Sequence, residues 1–326
     1  MKTIFAYFTI VFLFLAGSNA FGQGDYIFRV LANKGDNSVK KSDGKTVGLK
    51  TGSTLKAGDQ LIASSNSYIG LMHKTGKTLE VRQAGVLKVN DLVKKVAEKK
   101  TSVTGRYAQY VMNKINDDGV SDNYRRNNNV TGAVTRGAEY AIGFVLPVED
   151  NKIKVYTPNF VLRWVPAPEE DQEISFDGKT FRITIKNIFD EVIYDQETDK
   201  TNVILNLEEI KNESSLYLVQ VTSIEEDAAN TLKSIEYAIE RLNLSDNPEL
   251  KAEMDAVLAE VEEDTSVGKL VLASFYEEKG LLLEAMTQFE EIISTNPEVD
   301  AFQELYKEFL AKNEMVIGSS EKSEEK

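Results

Sequence analysis

Hydrophobic and polar positions change their period three times along this chain. Between residues 35 and 89, short alternating apolar runs at Val39, Leu49, Leu55, Leu61-Ile62, Tyr68 to Met72, Leu79-Val81 and Val86-Leu87 are cut by glycine at strand-length intervals. Period-two runs bounded by Gly, Asn and Asp predict a compact all-β unit. Helical spacing follows, first in Leu92, Val93 and Val96, then in Tyr107, Tyr110, Val111 and Ile115. Residues 116–139 are polar and irregular, which predicts a loop or linker. Alternation returns over residues 153–223: Phe160, Leu162 and Trp164, then Phe181, Ile183 and Ile185, then Val203, Leu205 and Leu207, then Leu216 and Leu218. That many short strands over so short a span predict a β-sandwich.

From Glu225 the period becomes helical again. Steps of three and four place Ala228, Leu232, Ile235, Ile239 and Leu242 on one face, and Leu250, Met254, Val257 and Val261 on another. Asn247-Pro248 offers an N-cap followed by proline at the first helical position, and Asn296-Pro297 repeats the signal. The pattern predicts a degenerate helical hairpin over 227–262, helices near 266–279 and 282–295 separated at Gly280, and a capping helix over 298–312 striped by Phe302, Leu305, Tyr306, Phe309 and Leu310. The expected organisation is therefore 1–20 leader, 21–90 all-β domain, 91–146 basic helical linker, 147–224 β-sandwich, 225–313 helical region and 314–326 disordered tail.

Three resemblances attach to these segments. Gly35-Asp36, Leu49-Lys50-Thr51-Gly52, Gly58-Asp59-Gln60-Leu61-Ile62, Tyr68-Ile69-Gly70-Leu71-Met72 and Gly76 to Val81 together resemble the FecR-type domain, an all-β module of bacterial envelope proteins. Leu162-Arg163-Trp164, then Pro166-Ala167-Pro168, then a Phe-x-Ile-x-Ile strand at Phe181 looks like the start of an immunoglobulin-like or fibronectin-type domain. Residues 269–297 resemble a tetratricopeptide repeat, with Leu272, Ala273, Tyr276, Ala285, Phe289 and Pro297 at that repeat's packing positions. Small Ala273 and Ala285 permit close helix approach while Tyr276 and Phe289 fill the hairpin core. Lys269 stands where the repeat usually carries its leading aromatic. The resemblances imply a multi-domain envelope protein: a FecR-like unit, an immunoglobulin-like sandwich, then tetratricopeptide-like hairpins.

The first twenty residues point the same way. Lys2 supplies a positive start, Ile4 to Ala16 are apolar, and Ser18-Asn19-Ala20 offers small residues for cleavage after Ala20. The apolar run is short of the roughly twenty residues a membrane span needs, so a cleaved signal peptide is expected, with no cytoplasmic segment ahead of it. The chain has no cysteine. Disulfides, thiol catalysis, thiolate metal sites and a lipid-modified N-terminal cysteine are thereby excluded. Charge is divided: residues 21–146 hold 20 Lys and Arg against 11 Asp and Glu, and residues 147–326 hold 17 against 41.

Candidate chemistry is sparse. His73 is the single histidine and alternates with apolar neighbours in a strand, so a triad or metal site would have to rest on it alone. No nucleophile-elbow, zinc-protease or phosphate-loop motif occurs. Glu260 to Asp264 and Glu277-Glu278 read as solvated helix faces, and Asn116-Asp117-Asp118-Gly119 as a turn lacking an EF-hand ladder. Trp164 is in phase with the sandwich core. Lys99, Lys100, Arg106, Arg125 and Arg126, interleaved with tyrosines, are the candidate interaction residues; they suit an anionic envelope polymer or the protein's own acidic half, while export argues against nucleic acid. No catalytic residue, metal or cofactor is expected. The expected function is a non-enzymatic, exported adaptor or scaffold of the periplasm or outer membrane, which binds an envelope protein through its helical and β modules. The alternatives are a cell-wall or glycan-binding module, or an indirect component of FecR-type signalling.

Overall fold

The computed structural model describes residues 26–97, 104–116, 140–146, 152–167, 174–313 and 315. The expected leader with Ala20, the residues Lys99, Lys100, Arg125 and Arg126, and the tail apart from Met315 lie outside them.

The first unit contains eight strands: β1 (Phe28–Lys34), β2 (Ser38–Lys40), β3 (Thr46–Gly48), β4 (Thr54–Leu55), β5 (Gln60–Ala63), β6 (Tyr68–His73), β7 (Thr78–Val81) and β8 (Gly85–Lys88). They form two antiparallel sheets, in the orders β4-β1-β6-β7 and β3-β2-β5-β8. Phe28, Val30, Ile69, Leu71 and Val81 of the first sheet meet Val39 and Leu61 of the second in a core of their own. Along β6 the alternate residues Tyr68 and Met72 belong to a different core. Both faces of that strand are thus buried, which is why it reads as a continuous apolar run. A bulge between Val30 and Ala32 carries Leu31 and Ala32 to the same outer face.

The second unit is a sandwich built from β9 (Ile142–Phe144), β10 (Lys152–Val155), β11 (Asn159–Pro166), β12 (Phe181–Lys186), β13 (Val192–Thr198), β14 (Asn202–Asn206), β15 (Leu216–Ser223) and β16 (Tyr237–Arg241). Its sheets run β14-β11-β9 and β10-β16-β15-β12-β13. Every strand pair is antiparallel except β10 with β16. Trp164 is fully buried between the sheets, edge-on to Phe181 at 5.6 Å. Strands β9 and β16 lie outside the expected 147–224 span, so the sandwich reaches further in both directions.

Strand β16 corrects the helical reading of residues 227–242. Tyr237 and Ile239 point inward while β16 pairs with β15 on one side and β10 on the other. A spacing of four, as from Ile235 to Ile239, is also a multiple of two and suits a strand equally. The degenerate hairpin is therefore a strand followed by one helix.

The helices are α1 (Val89–Ala97), α2 (Thr104–Asn116), α3 (Pro248–Leu258), α4 (Ser266–Glu278), α5 (Leu282–Thr295) and α6 (Asp300–Lys312). Asn247 caps α3 by accepting from Leu250 N with Pro248 at its start, and Thr265 caps α4 by accepting from Gly268 N. Gly280, at φ 72°, supplies the left-handed turn between α4 and α5. Leu272, Ala273, Tyr276, Ala285 and Phe289 are all buried where α4 and α5 pair, and Pro297 is exposed in the turn before α6. Met315, expected in a disordered tail, is buried, and its N–H donates to Leu310 O. Among the described residues no helix is long and apolar enough to cross a membrane.

Candidate interaction surfaces

Helix α5 lies along the sandwich, and three side chains on one stripe of it meet backbone or charge there. Strand β9 pairs with β11 only at Trp164 to Pro166, so β11 has an open edge over its first half. Thr287 Oγ1 accepts from Val161 N at 2.9 Å and donates to Leu283 O, filling part of that edge. Glu284 Oε1 accepts from Tyr156 N at 2.7 Å and from Thr157 N at 3.4 Å. Burial pushes the Glu284 carboxyl above the ordinary carboxylate range, against the pull of these backbone donors. Glu290 takes both Arg163 Nε and Nη2 at 2.5 Å, along with the Tyr306 hydroxyl. Burial alone would lower the Arg163 pKa, but its bonds to Glu290 win and raise it. An uncovered sheet edge invites pairing with another chain; here side chains from a helix close it.

Helices α4 and α6 meet the first unit and α2 on their other faces. Glu80 Oε1 accepts from Tyr68 Oη at 2.7 Å and from Val267 N, at the start of α4, at 3.1 Å. Tyr68 lies edge-on to Phe302 of α6, and burial followed by Glu80 raises its pKa. Lys34 pairs with Glu298 at 2.8 Å. From α2, Arg106 pairs with Glu278 at 2.8 Å, and Lys114 reaches Glu277 at 3.5 Å and Glu308 at 3.3 Å. Glu277, read from sequence as solvated, is buried, because Lys114, Lys312 and Asn313 all converge on it. The basic front of the chain thus meets its acidic back at ion pairs within one molecule.

These contacts commit most of the surface of α4. In α4, eleven residues from Ser266 to Glu277 are buried, leaving little groove for another protein. The outward-facing apolar residues lie elsewhere. Ile188 and Phe189 are 51% and 73% exposed on the turn joining β12 to β13, and Val192, the first residue of β13, is 57% exposed. The turn itself is held by Asn187, whose Oδ1 accepts from Phe189 N and Glu191 N, with Asp190 at φ 64°. Beside it lies a cleft of about 590 Å³ between Asn187–Phe189, Glu191 and Ile193 on one side and Lys211–Ser214 on the other. Strand β13 is one of the two edge strands of its sheet among the described residues.

Of the residues singled out by sequence, Arg106 falls in the seam between α2 and α4, and the repeat-type positions fall together between α4 and α5. His73 sits at the end of β6 with Nδ1 2.7 Å from Thr75 Oγ1; burial, then Lys74 and Lys77, lowers its pKa. Among the described residues no group of three or more His, Asp or Glu side chains is placed to hold a metal ion. The exposed hairpin tip was missed by periodicity, although Asn187-Ile188-Phe189-Asp190 places two large apolar residues inside a turn, which is the signal that could have found it. Comparison with known proteins finds no matching family model and no similar curated protein.

Proposed function

We propose that this protein is a non-enzymatic, exported adaptor of the bacterial cell envelope that binds another protein through the β12–β13 hairpin of its sandwich. The observation that carries this reading is the joint exposure of Ile188, Phe189 and Val192 at a held turn beside a cleft. Contiguous apolar side chains left in water on an otherwise packed molecule mark docking surfaces. In this reading the first unit is FecR-like, the strand order of the sandwich is immunoglobulin-like, and α4 with α5 is a tetratricopeptide-like hairpin turned inward to join the units. The leader at 1–20 delivers the chain to the periplasm or the outer membrane. Exposed lysines of the first unit, among them Lys40, Lys45, Lys56 and Lys88, add affinity for an anionic envelope polymer.

Site-specific photo-crosslinking in intact cells tests the reading. A crosslinker at Asp190 is expected to capture a discrete envelope protein, and Phe189→Asp in the same chain to abolish the capture. A crosslinker at exposed Gln83 serves as the control. Equal labelling from both positions, or capture of glycan alone, would remove the adaptor reading and put wall binding in its place.

A further inference from the structure

We infer that a second copy of this chain is one occupant of the hairpin, received on the β8 side of its first unit. The inference rests on the reading of the hairpin as a docking surface and names a partner for it. Among the described residues six large hydrophobics are exposed, five of them on the sandwich and one, Val86 at 61%, on the first unit. Val86 lies on β8, one edge strand of its sheet, with Gly85 and Lys88 exposed beside it.

The strand register shows what surrounds Val86. Gly48, Ser38, Ile62 and Val86 are paired in one row across the sheet, and Thr46, Lys40, Gln60 and Lys88 in the row two residues on. Paired residues share a face, and so do residues two apart, so both rows look outward together. That face combines Ile62 and exposed Val86 with Lys40 and Lys88, and the adjoining turns carry Lys45 and Lys56. All four lysines are exposed and none has an ion-pair partner among the described residues, whereas Lys41 beside them is held by Asp59. The described first unit, 26–97, carries 13 Lys and Arg against 5 Asp and Glu.

The hairpin side is acidic at its cleft. Residues 181–213 carry eight Asp and Glu against four Lys and Arg; Arg182 and Lys186 pair with Asp195, Glu197 and Asp190, while Glu191 and Glu213, which line the cleft, have no ion-pair partner among the described residues. Two hairpins meeting tip to tip would bring these carboxylates together, which is unfavourable. A hairpin meeting the β8 face joins apolar to apolar and carboxylate to ammonium. Each copy has one hairpin and one β8 face, so the contact is head-to-tail and adds copies in a row. Both patches are small, so association belongs to the weak class and is favoured by high concentration and low salt.

Sedimentation velocity of the purified chain tests this. The weight-average mass is expected to rise with concentration past twice the monomer at low salt and to fall back as salt is added. Phe189→Asp lacks the hairpin and Val86→Asp/Lys88→Glu lacks the receiving face; each alone is expected to stay monomeric with an unchanged circular dichroism spectrum. Mixed, they retain one complementary pair and should form one-to-one dimers and nothing larger. Lys40→Glu/Lys88→Glu, at two exposed positions, replaces the second variant should Val86→Asp unfold. A monomeric wild type at every concentration, variants that assemble as the wild type does, or a mixture that stays monomeric would each overturn the inference. A monomeric wild type that still captures a foreign envelope protein in cells would leave the adaptor reading standing; assembly without any such capture would remove the adaptor reading instead.

Discussion

Glu284 is a carboxyl buried where a helix meets a sandwich, with Oε1 bonded to two backbone N–H groups and Oε2 without a partner. Burial raises its pKa in the folded state. The native protein therefore holds this proton more tightly than the unfolded chain, and the contribution to stability falls as pH climbs from the ordinary carboxylate range through the raised value. Glu284→Gln keeps an oxygen for Tyr156 and Thr157 but does not titrate. Urea midpoints measured across a pH series should find the two proteins close in acid, with the glutamine variant increasingly the more stable towards neutrality. A gap independent of pH would mean that the carboxyl is not titrating in the seam. Glu284→Ala should lose stability at every pH, because the half-buried N–H groups of Tyr156 and Thr157 lose their acceptor, together about 1–3 kcal/mol. Spacing alone shows Glu284, Thr287 and Glu290 at three-residue steps. It does not show that this stripe faces a sheet edge, since a polar stripe reads the same whether water or backbone satisfies it. Glu277 was misread for that reason.

At the scale of elements, the turn after β6 and the start of α2 touch through their backbones. Gly76 has φ +88°, and a Cβ placed on it would lie 2.2 Å from Gly105 Cα. Gly76→Ala adds left-handed strain of roughly 1–2 kcal/mol to overpacking of about 1–3 kcal/mol. A chemical-denaturation midpoint near that of the wild type would show that α2 can shift away without loss. Gly44, also at positive φ but with open space around its Cβ position, should show only the strain. Periodicity located the strands of the first unit and the ends of α4 and α5 well, because glycine and Asn-Pro punctuate them. It failed at β16, where the step of four from Ile235 to Ile239 fits either period and pairing with β10 and β15 decides. The bulge in β1 and the open edge of β11 were illegible for a related reason: each depends on what lies across the ladder.

On the scale of the whole molecule, one continuous apolar core includes Tyr68 and Met72 of the first unit, Tyr107 of α2, Trp164 and Phe181 of the sandwich, and Phe275, Phe289 and Phe309 of the helices. The helices occupy its centre, so the sandwich should not unfold apart from them. The chain supplies a probe for this, since its sole tryptophan is Trp164, in the sandwich, while far-ultraviolet circular dichroism is weighted to the helices. Melting followed by tryptophan fluorescence and by circular dichroism should coincide, as one cooperative transition requires. Glu290→Ala makes the test sharper, because it strips an acceptor from Arg163 on the sandwich and from Tyr306 on α6 at once. Breaking a largely buried pair of this kind costs about 3 kcal/mol, which in a chain of this length lowers Tm by roughly 4–6 °C. If the units are coupled through the seam, both probes move down together. A fluorescence transition that stays in place while the dichroism transition falls would mean that the sandwich folds alone and α5 merely rests on it. In that case the closed edge of β11 would open in a partly unfolded chain, and that edge would join β13 as a place where other strands can add.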